Sequence, residues 1–137
     1  MTTDAKDAIR SGLAAWSRGD LAGTMRNFSP ELEFVTSGIY PGLDPVYRGH
    51  DGFTRFWHDF RETWEDIAFE VDRIAAGTPG RYAVVARFQA AGRDGIPVER
   101  PVGMAFTVRQ GVITHIQNFG SGADALAAAG VQPGRSG

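Results

Sequence analysis

The chain of 137 residues, 42% hydrophobic and 22% charged, has the size and composition of one folded domain. Its 14 Lys and Arg against 16 Asp and Glu leave a net charge of −2, which offers neither an electrostatic footprint for nucleic acid nor a polybasic membrane anchor. With no cysteine, disulfides, thiol nucleophiles, iron–sulfur clusters and cysteine-type zinc sites are excluded together.

The chain opens with helices. Ala8, Ile9, Leu13 and Trp16 fall at helical spacing and form one apolar stripe. Gly19 ends that helix and Asp20 can cap the next, a short one with Leu21, Met25 and Phe28 on its apolar side, stopped at Ser29-Pro30. Residues 31–36 read as a strand with Phe34 and Thr36 of inward parity and Glu33 facing away. A loop from Ser37 to Gly49 follows, rich in Gly and Pro, and a loop of that length without its own structure is often functional. Phe53, Phe56, Trp57, Phe60 and Trp64 then mark a third helix over about 50–64.

The remainder reads as strands. Ile67, Phe69 and Val71 alternate, and Ile74 continues out of phase, which predicts a β-bulge. Residues 77–80 form a turn; Tyr82, Val84, Ala86 and Phe88 alternate on the next strand; residues 92–95 turn again. A long strand spans about 97–109, and Gln110-Gly111 makes a tight hairpin into 112–119. The Ala-rich stretch 122–130 suits a short helix, and 132–137 a frayed tail after one domain over 1–131. Helices first and an antiparallel meander second define the α+β class. A bent sheet with three helices across its concave face makes a cone that encloses an apolar pocket.

These pieces resemble a known family. Trp16-x-x-Gly19-Asp20-Leu21, Phe28, Tyr47-Arg48-Gly49-His50-Asp51-Gly52, Arg109-Gln110-Gly111-Val112-Ile113, Ile116, Phe119 and Ala123-Asp124-Ala125-Leu126 stand in the order found in SnoaL-like polyketide cyclases. That family lies within the nuclear transport factor 2-like, ketosteroid isomerase-like superfamily. The resemblance covers about residues 5–130. It implies a cone-shaped barrel of curved, mixed, mostly antiparallel sheet with three helices. It also implies chemistry without a cofactor and a homodimer packed through the sheets. Val84 beside Val85 and Val112 beside Ile113 add that both faces of the sheet need cover. The isomerase catalytic positions fall on Gly12, Thr36 and Met104, so that mechanism is excluded. The Asp–Arg–Asp arrangement of the limonene-epoxide-hydrolase branch cannot be assembled either.

The same superposition implies which side chains face the pocket. His115 is the candidate acid/base, since imidazole exchanges a proton near neutral pH; its plain alternative is a strand histidine bonded to a neighbour. Glu99, Asp44 and Glu33 are the carboxylates available to orient it. Gln117, Thr36 and Tyr40 are candidate polar anchors, and Arg100 a candidate partner for an anionic group. Trp16, Phe53, Trp57, Phe88, Val102, Met104 and Phe119 are core residues that double as pocket wall. His50 and His58 lie on either side of an apolar helix face and suit no metal. The expectation is a cytoplasmic pocket protein for an apolar, polycyclic small molecule, without metal, cofactor, nucleic acid or membrane. It would act by cyclisation, isomerisation, dehydration or epoxide opening. The alternative is a non-catalytic ligand-binding or protein-association module.

Overall fold

The computed structural model describes residues 4–40, 42–92 and 94–132, so the tail expected to fray falls, from 133 on, outside the described residues. Helix α1, Ala5–Ser17, starts where the Asp4 carboxylate accepts from the Lys6 N–H at 3.0 Å. It buries Ala8, Ile9, Leu13 and Trp16, the stripe seen in the sequence. Gly19 leaves the helical path at φ +77°. Asp20 then accepts from the Gly23 N–H at 2.9 Å to begin α2, Leu21–Met25. Phe28, expected on that helix, instead opens strand β1, Phe28–Val35, where it pairs with Ile113.

The stretch 37–49 is not wholly a loop. Val46–Arg48 forms β2, antiparallel to β1 with Phe34 opposite Tyr47. Helix α3, Gly49–Thr63, buries Phe53, Phe56, Trp57 and Phe60. Trp64, the last residue of that stripe, turns to extended backbone and begins β3, Trp64–Ala76. Strands β4 (Arg81–Gly92), β5 (Pro97–Arg109) and β6 (Val112–Phe119) complete the sheet. Gln110 and Gly111 both take positive φ in the β5–β6 turn, the backbone that a two-residue hairpin favours.

The sheet order is β2-β1-β6-β5-β4-β3. All neighbours are antiparallel except β1 and β6, which run parallel. The meander expected from the sequence therefore stops at β6, and the N-terminal strand docks beside it. The sheet curves but does not close into a barrel; β2 and β3 are its edges. The bulge expected after Val71 is present as a register shift between Val71 and Arg73.

The sheet has further register shifts, at Glu65/Ala68, Phe28/Glu33 and Thr107/Val108, and the last of these was not anticipated. Thr107 faces His115 while Val108 faces Ile113, so Thr114 is the extra residue. It reverses the parity of the rest of β6. Ile116 and Asn118 point inward and are fully buried, whereas His115, Gln117 and Phe119 lie on the other face, partly exposed.

Aromatic rings fill the inner side. The Trp16 ring lies 4.8 Å from Phe69 and 5.7 Å from Phe53, centroid to centroid, and meets Phe34, Phe56, Trp57 and Phe60 slightly further out. Edge-on packing of this kind is favourable beyond its buried area. Helix α4, Gly122–Ala129, sits on the opposite face: a Cβ at Gly103 would meet the Ser121 carbonyl and the Ala125 methyl, and one at Gly122 would meet Val85. Part of the outer cover assigned to a second subunit is thus supplied by the chain itself.

Candidate ligand-binding site

One end of the sheet's inner face is left open, and the β1–β2 connection builds one wall of the opening. The Thr36 N–H donates to the Pro45 carbonyl at 2.9 Å and its hydroxyl donates to the Asp44 carbonyl at 2.7 Å. The Asp44 N–H donates to the Tyr47 hydroxyl at 3.1 Å, and that hydroxyl reaches Asp59 at 3.4 Å. Arg55 pairs with Asp44 at 3.3 Å and stacks 5.0 Å from the centre of the Tyr47 ring. So braced, the connection turns Ile39 and Tyr40 toward the sheet. The Tyr40 ring packs 5.0 Å from Phe60 and 6.2 Å from Phe88.

Between this wall and the sheet lies a cleft of about 210 Å³. Ile39 and Tyr40 line it from the connection, Trp64 and Phe88 from β3 and β4. Arg100, Pro101 and Val102 of β5 and Gly120 after β6 form the other side. Phe88 stands opposite both Phe69 and Arg100 in the sheet, so the register itself places an aromatic face beside the guanidinium. Among the described residues no carboxylate and no imidazole lines the cleft.

Its polar groups are few. The Tyr40 hydroxyl is buried without a hydrogen-bond partner, and burial pushes its pKa well above the ordinary phenol value. It therefore stays protonated throughout the physiological range. Asn118, like Thr36, is a buried polar residue of this end of the sheet. Its Nδ2 donates to the Val35 carbonyl at 2.9 Å, while its Oδ1 has no partner. It lies one same-face step along β6 from Gly120, about 6.6 Å deeper. Arg100 is exposed and forms no ion pair among the described residues.

Four of the residues expected to face the pocket do line the cleft: Tyr40, Phe88, Arg100 and Val102. Trp16, Phe53, Trp57 and Met104 are buried in the packed core below it. Thr36 is buried too, but its hydroxyl is committed to the Asp44 carbonyl and braces the wall instead of facing a ligand.

His115, Gln117 and Phe119 require correction. The Thr114 bulge turns all three to the outer face. There Phe119 packs against the α4 cluster of Ala83, Ala125 and Ala129. His115 Nε2 stands 3.6 Å from Glu33, which in turn meets Arg48 at 3.4 Å, all three partly solvated. Glu33 does face away from the cavity, as its parity indicated, and its partner His115 faces away with it. Among the described residues no cluster of three or more His, Asp or Glu is placed to hold a metal ion.

The sequence reading missed Ile39, Trp64, Pro101, Gly120 and Asn118. Trp64 was the detectable one, because it extends the α3 stripe to a position where the helix has already ended.

Comparison with known proteins fits this architecture. The SnoaL-like domain model matches residues 9–116, and the chain belongs to the SnoaL-like family. Rv0034 of Mycobacterium tuberculosis (strain ATCC 25618 / H37Rv), an uncharacterised protein, is 30% identical over 121 residues, covering 87% of this chain and 91% of its own. An NTF2-like protein of unknown function from Burkholderia pseudomallei superposes with a TM-score of 0.79 at 16% identity, over 91% of this chain and 96% of that one. TerC, co-crystallised with polyporic acid, superposes with a TM-score of 0.77 at 19% identity, over 88% and 93%. At these identities the solved structures share the fold.

Proposed function

We propose that the protein binds an apolar, planar small molecule in the cleft between the β1–β2 connection and strands β3–β5. The observation that carries this reading is the cleft's chemistry: an aromatic and aliphatic wall with a buried hydroxyl that has no partner within the protein. Buried polar groups normally find partners, and a ligand carbonyl or hydroxyl would supply one. A neighbour of the same fold, TerC, was crystallised with polyporic acid. The volume narrows the choice. About 210 Å³ is below the roughly 300–1,000 Å³ of pockets for drug-sized ligands. One or two rings fit; a four-ring skeleton needs the connection to open.

Proton-transfer catalysis is the second reading, favoured by Tyr40 alone. A phenol held neutral in an apolar wall can donate to a developing enolate oxygen, as an oxyanion donor does. Among the described residues no carboxylate or imidazole lines the cleft to accept the proton. Binding is therefore the stronger proposal. A homodimer through the sheet, which the family resemblance implies, has the outer side of β2, β1 and β6 available to it; sedimentation across a hundredfold range of concentration tests that.

A thermal-shift series of one-, two- and four-ring aromatic alcohols tests the binding reading. A ligand at 100 times its dissociation constant stabilises the fold by about 2.7 kcal/mol, several degrees here. One- and two-ring compounds are expected to stabilise the protein, and Val102→Phe, which fills the cleft, to abolish the shift. A flat response across the series contradicts the proposal.

A further inference from the structure

Arg100, the one charged group among the described residues that line the cleft, sets the class of ligand further, on the footing of the binding reading above. Strand alternation separates two neighbours on β5. Glu99 points to the outer face, where Arg87 lies 3.9 Å away and the Gln89 amide donates to it at 2.9 Å. Arg100 points to the inner face and lines the cleft. Glu99, Glu70 and Asp72 are thus gathered around Arg87 on the far side. Arg100 is left beside an apolar cavity with no anionic partner among the described residues. A guanidinium forks onto a carboxylate with two parallel hydrogen bonds.

We propose that the cleft selects a planar aromatic monocarboxylate of one or two rings, its carboxylate on Arg100 and its rings between Trp64, Phe88 and Tyr40. Among the described residues a single guanidinium lines the cleft, which suits a monoanion better than a phosphate.

The test measures binding of 2-naphthoate, 2-naphthalenemethanol and 2-naphthyl phosphate to the full chain by calorimetry at pH 7 and low salt. It repeats the measurement in Arg100→Gln, in Arg100→Lys and in Arg73→Gln, a charge control on an exposed site of β3. A melting curve confirms that each variant is folded. The expected result is that 2-naphthoate binds at least ten times tighter than the alcohol. That preference disappears in Arg100→Gln, survives in part in Arg100→Lys and is intact in Arg73→Gln. Added salt weakens the acid and not the alcohol. Equal binding of acid and alcohol overturns the carboxylate assignment while leaving the binding reading standing. So does a preference that survives Arg100→Gln, and phosphate binding tighter than carboxylate overturns the monoanion. If none of the three binds, the ligand site itself is refuted and this inference falls with it.

Discussion

Replacing Tyr40 by Phe should make the unliganded protein more stable. The substitution deletes one oxygen and keeps the ring with its contacts to Phe56, Phe60 and Phe88. That oxygen is buried and has no hydrogen-bond partner. A hydroxyl in this condition costs its desolvation, about 1–3 kcal/mol, with nothing returned. For a domain of this length each kcal/mol corresponds to about 3 °C in melting temperature. Tyr40→Phe is then expected to melt about 3–9 °C higher, read by calorimetry and cross-checked by urea denaturation with an unchanged slope. The same variant should bind hydroxylated or carbonyl-bearing ring ligands more weakly, because the donor is gone. Gain in stability with loss of affinity is the signature of a polar group kept for a ligand. A Tyr40→Phe protein that melts lower than the parent would show that the hydroxyl is satisfied in the free protein, and the reasoning would fail.

Other consequences can be checked beside it. Because burial raises the Tyr40 pKa, the folded chain keeps a proton that the unfolded chain releases above about pH 10. Stability should be fully present below that pH and fall as pH rises through it, by about 1.4 kcal/mol per unit for this group. Tyr40→Phe should remove its share and leave that of Tyr47, whose pKa burial also raises. His115→Ala should leave ligand affinity within twofold and stability within about 1 kcal/mol, since the side chain meets Glu33 on the solvated outer face. A tenfold loss of affinity in that variant would reverse the assignment of faces. Gly103→Val should cost about 1–3 kcal/mol and expose α4 to protease, since its Cβ would press on the Ser121 carbonyl and the Ala125 methyl; an unperturbed variant would contradict the close packing of α4. Thr36→Val, which leaves the Asp44 carbonyl without its donor, should cost about 1–2 kcal/mol and weaken binding in the cleft by loosening Ile39 and Tyr40.

The helices and most strands were legible because their signals are local. The α1 and α3 stripes, the Asp20 cap, the Gln110-Gly111 turn and the bulge after Val71 each depend on a few neighbouring residues. The parallel pairing of β1 with β6 joins segments about 80 positions apart, and no local pattern announces it. The error at His115 is more instructive. Val71 and Ile74, three apart, were read as a slipped phase, and the structure has the bulge. Ile113 and Ile116 have the same spacing and the same cause, Thr114. There the histidine, glutamine and phenylalanine at 115, 117 and 119 offered a plausible alternation of their own, and the family superposition reinforced it. Two core-facing residues at an odd spacing mark a bulge between them. The location of the cleft was legible only in part: Tyr40, Phe88, Arg100 and Val102 line it as expected, while Trp16, Phe53, Trp57 and Met104, expected beside them, are core. It depends on how far aromatic packing around Trp16 fills the cone, which is a matter of three-dimensional fit.

The central claim is that ligands enter at the mouth formed by the β1–β2 connection, not at the outer face that carries His115. A two-dimensional ¹H–¹⁵N spectrum of the labelled protein, titrated with 2-naphthoate, tests it most directly. The account predicts saturable shifts in the Trp64 indole and in the amides of Ile39, Arg100, Val102 and Gly120, with His115 and Gln117 unmoved. Saturable shifts centred on His115, Gln117 and Glu33, with the Trp64 indole unmoved, would contradict it.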